Sequence, residues 1–228
     1  MSEPIRSFWI EGEVTKHQLL TMRSFLHHGH DFVLYAYDQP VGLPAAVEVR
    51  DLNMIVPRSE VFYYRNLDHH RRLGGFCERV KAELLYNLGG WHVDMDVTCL
   101  RRFDMPAEYV LRPHHRLVVG NIIKCPAHSE LARIYLDGAL QVDAENRDWE
   151  KSFAGLADGV RHLGLERFIV DDSFFGRDDG DWPQFLKASG GSPEPNRYAV
   201  HWCATYGQLQ HAEPGSFYDS LLKTYGLA

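Results

Sequence analysis

ELLYNLGGWHVDMDVTCLRRF, residues 83–103, decides how the rest of the chain is read. A helical register runs into Gly89-Gly90, a short apolar strand Trp91-His92-Val93 follows, and the strand ends in Asp94 and Asp96, spaced i, i+2. Side chains on an extended segment alternate faces, so the two carboxylates should project together while Met95 points into the protein. Two carboxylates on one side of a strand end suit a hard divalent cation. Mg²⁺ or Mn²⁺ in particular is shared between one or two carboxylates and the phosphates of a substrate.

Working outward, Phe76 to Leu88 reads as a helix with Phe76, Val80, Leu84, Leu85 and Leu88 on its buried side, and Glu78, Arg79, Lys81 and Glu83 mostly elsewhere. Gly74-Gly75 precede it. Gly89 takes the place of a left-handed C-cap, and Gly90 frees the backbone for a close approach. Upstream, Ile5–Ile10 and Asp31–Tyr37 read as strands around a helix from Val14 to His28, the opening of an α/β sheet. The absence of a GxGxxG fingerprint disfavours a dinucleotide fold. Val47–Val49 and Met54–Val56 are candidate short strands. Downstream, strands are predicted at Tyr109–Leu111, Leu117–Ile123, in ERFIVDD ending at Asp171-Asp172, and at Tyr198–Cys203; helices at Ser129–Leu140, Asp148–His162, around Gln184–Ala188 and at Ser216–Tyr225. The glycine-containing loops 176–183 and 190–196 read as mobile.

With 228 residues, 45% of them hydrophobic, the chain can bury one full core and is expected to form one domain. A formal charge of −7 argues against a nucleic-acid partner, which would require basic patches. The start, MSEPIRSFWIEGEV, lacks the apolar core of a signal peptide, and no run approaches a membrane span. The expectation is a cytoplasmic protein whose four scattered cysteines are reduced thiols. Peripheral association with a membrane is compatible with that.

The ordered string of amphipathic helix, Gly-Gly, aromatic, two residues, then Asp-x-Asp followed by Leu100 and Arg102-Phe103-Asp104 resembles the DXD sugar-transferase family. That family includes fungal mannosyltransferases that initiate outer-chain glycans and bacterial capsular polysaccharide transferases; more distant are the catalytic domains of the glucosylating bacterial toxins. The resemblance is strong over Phe76 to Asp104 and fainter over the first forty residues and YAVHW at 198–202. It implies the GT-A fold: a single α/β domain, residues 1–228, with a mostly parallel central sheet flanked by helices. Residues 1–104 would bind nucleotide sugar and metal, and residues 105–228 would form the acceptor half and a closing C-terminal segment. It also implies Mn²⁺- or Mg²⁺-dependent hexosyl transfer, usually with retention, from a UDP- or GDP-sugar to a glycan, lipid-linked or other hydroxyl acceptor, as in polysaccharide biosynthesis.

Carried over by position, Asp94 and Asp96 are the catalytic pair. Asp96 matches the direct metal ligand, Asp94 the residue that reaches the donor and supports the metal, and His201 the late histidine that completes the metal shell or contacts the diphosphate. Trp9 is the candidate stacking surface for the donor base, with Tyr35 and Tyr37 as weaker ones. Gly90 and Asn121 are further donor-site candidates. Glu78 and Lys81 stand where the family carries Ser-Asp-x-x-Arg, a departure that bears on sugar identity, because lysine lacks the bidentate fork of arginine. His92 shares the face of the aspartates and is read as packing. Asp171 and Asp172 either contact an acceptor or cap a helix.

Two other readings compete. Asp94-Met95-Asp96-Val97-Thr98 also fits the first motif of haloacid dehalogenase phosphatases, with Asp94 as nucleophile and the run Ile169-Val170-Asp171-Asp172 imitating their late acidic motif. The third reading is a protein of the transferase fold that binds sugar or nucleotide without turnover.

Overall fold

The computed structural model describes residues 3–67, 72–148, 150–176, 182–204 and 207–228. Its centre is a six-stranded sheet in the order β3-β2-β1-β4-β7-β6, formed by β1 (Ile5–Trp9), β2 (Phe32–Ala36), β3 (Val47–Asp51), β4 (Gly90–Val93), β6 (Val110–His114) and β7 (Leu117–Cys125). The first four of these run parallel, with Ile5 opposite Phe32 and Trp91; β7 pairs antiparallel with β4, and β6 with β7. A separate antiparallel pair joins β5 (Val97–Cys99) to β8 (Ala199–His201). This is the mostly parallel α/β arrangement of a GT-A-like domain.

Local chemistry accounts for the first helix, α1 (Lys16–His27). Thr15 caps it, and Gln18 returns the favour by accepting from the Thr15 backbone N–H at 2.9 Å, so two donors that a helix start leaves orphaned are satisfied. Its Met22 and Phe25 pack on Ile5, Phe32, Leu34 and Val93, one layer of core. A fully buried Phe or Met contributes about 1.5–3 kcal/mol. On the opposite face, α2 (Gly74–Leu88) lays Phe76, Val80 and Leu84 against Val33 and Tyr35. Outside α2, the helices α3 (Glu130–Ala139) and α4 (Lys151–His162) complete a second apolar cluster around Tyr135 and Phe153. A short α5 (Asp172–Phe175) and the final α6 (Phe217–Thr224) close the chain, with Tyr218 stacked edge-on to Trp202 at 4.8 Å.

Several expectations need correction. Gly74 and Gly75 belong to the first turn of α2, where a Cβ on Gly75 would lie 2.2 Å from the Tyr64 hydroxyl oxygen. Gly89 has φ +59° and ψ −160°, a conformation essentially reserved for glycine but not the left-handed cap; it swings the chain straight into β4. Met54–Val56 is no strand: Leu52–Met54 form a 3₁₀ turn capped by the Asp51 carboxylate, which accepts from Asn53 N–H at 2.9 Å. ERFIVDD forms a 3₁₀ turn at Glu166–Phe168, and only a single bridge, Ile169 to Leu111, attaches it to the sheet. The segment at 184–188 is likewise covered by a 3₁₀ turn, Trp182–Leu186, rather than an α-helix. Most of the loop expected to be mobile at 176–183 lies outside the described residues.

None of the four cysteines is in a disulfide, and among the described residues no helix is long and apolar enough to cross a membrane.

Candidate active site

Ligands of open α/β sheets bind beyond the carboxyl ends of the strands, where the connections diverge. A cleft of about 600 Å³ occupies that position here, lined by the end of β1, the start of α1, one side of α2 and the turn after β4. That turn carries the two aspartates. Strand β4 stops at Val93, Asp94–Asp96 form the turn itself, and Val97 N–H returns to the Asp94 carbonyl at 3.3 Å. The expected strand alternation is therefore not what aligns them, but its outcome holds. Both aspartates line the cleft; Met95, 7% exposed, packs in the core cluster and also contributes to the cleft lining.

Asp94 is set in a network of charges. Its Oδ1 lies 3.2 Å from Lys81 Nζ and 3.1 Å from His92 Nε2. Lys81 is 2% exposed, on the buried side of α2 rather than off it as the charge pattern suggests, and its ammonium also donates to Glu78 at 2.8 Å. The other Glu78 oxygen accepts from the Tyr135 hydroxyl on α3. Burial by itself would raise the Asp94 pKa, but the Lys81 ammonium, then His92, outweigh it and hold the carboxyl well below the usual carboxylate range. Burial pulls Lys81 the other way, and Asp94 and Glu78 more than compensate, so the ammonium stays charged. His92 is pushed down by burial and stacks on Phe8 at 5.6 Å, in keeping with a packing role.

Asp96 is held differently. Its Oδ2 accepts from the Ala204 backbone N–H at 2.8 Å, its backbone carbonyl accepts from Trp202 N–H, and its Oδ1 lies 3.2 Å from His201 Nε2. One ligand atom from each of Asp94, Asp96 and His201 falls within 4.8 Å of the others.

The remaining predicted residues divide cleanly. Trp9 lines the cleft, its ring held by an Nε1–H bond to the Gly12 carbonyl at 2.9 Å, and Glu78 and Lys81 line it as well. Asn121 sits behind His201, 3% exposed and bonded to it. Gly90 does not reach the cleft: it begins β4, four residues and about 13 Å of strand from Asp94, and a Cβ there would meet Arg6 Nη1. Tyr35 and Tyr37 are also elsewhere, their hydroxyls engaged by Arg50 and the Val56 carbonyl. Asp171 caps α5, accepting from Ser173 N–H at 2.9 Å.

Sequence reasoning missed His17, Tyr63, Arg72, Tyr135 and Arg112. His17 lines the cleft and its Nδ1 bonds the Tyr218 hydroxyl; Tyr63 and Arg72 form the outer rim, with the Arg72 guanidinium 5.0 Å from the Tyr63 ring centre. The Thr15-x-x-Gln18 capping signature was the available signal for His17. It marks a helix start, and helix starts in such folds face the ligand edge.

No family model matches the chain, and no curated protein does. A solved structure described as a transferase mutant superposes with TM-score 0.42 at 12% identity over 72% of this chain and 85% of that one, a likeness too slight to carry an argument. The chain is similar to a structure described as PaToxG glycosyltransferase, with TM-score 0.53 and 10% identity over 70% of this chain and 68% of that one, and what that likeness shows is a shared fold.

Proposed function

We propose that the protein is a cation-dependent glycosyltransferase of the DXD sugar-transferase kind, moving a hexosyl group from a UDP- or GDP-sugar to a hydroxyl acceptor with retention. One observation carries the reading: Asp94, Asp96 and His201 converge beside a cleft of about 600 Å³ at the carboxyl edge of the parallel strands. The fold shared with a glycosyltransferase agrees with it. The donor set fits Mn²⁺ or Mg²⁺, because carboxylates at the open edge of a cleft supply hard oxygens and leave room for phosphate and water. Asp96 and Asp94 would hold the ion, with His201 set against Asp96. A cation bound there neutralises the charge that grows on a diphosphate leaving group as the glycosidic bond breaks.

The chain's own groups do the rest. Trp9 offers a flat apolar face to the donor base. Lys81, balanced between Glu78 and Asp94, keeps Asp94 ionised and turned to the cleft; this is where the departure from the family's arginine acts. The acceptor is positioned by binding, which lowers the entropic part of the barrier. Residues 1–104 supply the donor side and residues 105–228 the acceptor side and closing segment, in a cytoplasmic enzyme with a glycan or lipid-linked acceptor and, in the latter case, peripheral contact with a membrane. With Asp171 engaged as a helix cap, the late acidic motif that favoured a phosphatase has lost its strand.

A panel of UDP- and GDP-sugars incubated with and without Mn²⁺, beside a general phosphatase substrate, tests the proposal. The expected result is Mn²⁺-dependent release of nucleoside diphosphate from one donor. Hydrolysis of the phosphate ester with no donor turned over would select the phosphatase, and donor affinity without turnover would select a binding protein.

A further inference from the structure

His201 ends β8 with its Nε2 toward Asp96 Oδ1, 3.2 Å away, and its Nδ1 turned into the protein. Three described groups approach Nδ1: Asn121 Nδ2 at 3.0 Å, Arg112 Nη1 at 3.4 Å and Cys203 Sγ at 3.5 Å. The orientation of the Asn121 amide follows from its other neighbour. Arg112 is 1% exposed, its guanidinium can only donate, and its Nη1 lies 3.0 Å from Asn121 Oδ1. The amide oxygen therefore faces Arg112 and the amide NH₂ faces the imidazole. Amide and guanidinium both bring hydrogens to Nδ1, and the thiol can donate as well, so that nitrogen presents its lone pair and the ring proton resides on Nε2, aimed at Asp96.

We infer that His201 is a hydrogen-bond donor to Asp96, held in its Nε2–H tautomer by Arg112 and Asn121, and is not itself a ligand of the cation. A ligand role at Nε2 would need the lone pair there and the proton on Nδ1, pressed against the Asn121 amide and the Arg112 guanidinium, both almost wholly buried. The three side chains cluster closely enough to be counted as one metal site, but hydrogen bonding behind His201 assigns them different work. Arg112 and Asn121 become positioning residues that act through His201 to fix the rotamer of Asp96, a support of the sort metal-site carboxylates commonly have. On the proposed reading of Asp94 and Asp96 as the cation site, the ion then receives only oxygens from the protein. That composition favours Mg²⁺ and Mn²⁺ over Zn²⁺, which prefers imidazole and thiolate.

The tautomer is measured directly by multiple-bond ¹H–¹⁵N correlation on protein labelled at histidine nitrogens, with His201→Gln identifying the signal. The metal-free protein should show a protonated Nε2 and an unprotonated Nδ1. Asn121→Asp sets an acceptor opposite Nδ1 and should move the proton there. Electron spin-echo modulation of added Mn²⁺ should show no directly bound imidazole nitrogen in the natural protein. A protonated Nδ1 in the metal-free protein, or an imidazole nitrogen on Mn²⁺, overturns the inference. An Nε2–H signal in a protein that retains no Mn²⁺ would sink the cation site while upholding the hydrogen bond to Asp96.

Discussion

Asp94 and Asp96 stand two residues apart in one turn, yet the protein holds them by opposite means. Asp94 is met by the Lys81 ammonium and His92, with Glu78 and Tyr135 behind them. Asp96 is met by a backbone N–H from Ala204 and by His201. A carboxylate with a buried ammonium beside it has its charge balanced inside the fold and serves as an anchor. A carboxylate held by neutral dipoles keeps its charge for whatever enters the cleft. The Asp94 flank should therefore govern stability, and the Asp96 flank chemistry.

The strongest attempt to break that contrast is Lys81→Met, which leaves Asp94 and Glu78 without their shared cation. Loss of one partner from a buried ion pair costs about 3–5 kcal/mol. Urea unfolding at neutral pH should register that loss, and adding Asp94→Asn should recover part of it; a cost below about 1 kcal/mol would mean the flank is not an anchor.

Acid reaches the molecule through buried imidazoles. Burial lowers His92 on the Asp94 flank, and burial first, then Arg102, lowers His30 to about 4, where His30 Nε2 accepts from Phe103 N–H at 3.0 Å. The unfolded chain binds a proton at His30 near pH 6.5 and the folded one only near 4, so stability is complete above 6.5 and falls as pH drops through that window. The His30 share is on the order of 3 kcal/mol when the descent is complete. Denaturation midpoints at pH 7 and pH 4.5 should differ less in His30→Gln than in the natural protein, and equal differences would remove His30 from the account.

Trp9→Ala acts in the cleft that the anchor also lines. Base stacking worth about 1–3 kcal/mol predicts a rise in donor KM of roughly 5- to 100-fold with kcat little changed, and Trp9→Phe should keep most of the affinity. A fall in kcat with KM constant would assign Trp9 another role. The smallest effect belongs to Tyr135→Phe, which strips Glu78 of its hydroxyl partner and should cost about 1–2 kcal/mol in unfolding experiments while sparing Mn²⁺ affinity.

What could be read from the sequence was whatever local chemistry determines. The opening strand, helix and strand, α2 with its abrupt glycine exit, and the serine-capped α3 and α6 follow from periodicity and capping within a few residues. Met54–Val56, read as a strand, and Gln184–Ala188, read as a helix, were misread because apolar runs this short fit a strand, a helix or a 3₁₀ turn equally well. In the site, Trp9, Glu78, Lys81, Asp94 and Asp96 were legible and do meet around one cleft. Lys81 was expected off the apolar side of its helix, facing the donor; its burial is tolerable because Glu78 from the same helix and Asp94 from the turn after β4 both meet the ammonium. Tyr135 and Arg112 come from α3 and β6, brought close by packing that no local pattern announces. Gly90 was the avoidable error, since strand rise alone separates it from the aspartates.

The central claim is tested most directly by turnover of a UDP- or GDP-sugar in saturating Mn²⁺ by the natural protein and Asp96→Asn side by side, with circular dichroism establishing that both are folded. Loss of Mn²⁺-dependent turnover by at least 10²–10³-fold, the scale on which removing a single transition-state stabiliser is felt, with an unchanged spectrum and midpoint, is the predicted result. Equal turnover by the two proteins, or turnover indifferent to Mn²⁺ in both, would contradict it.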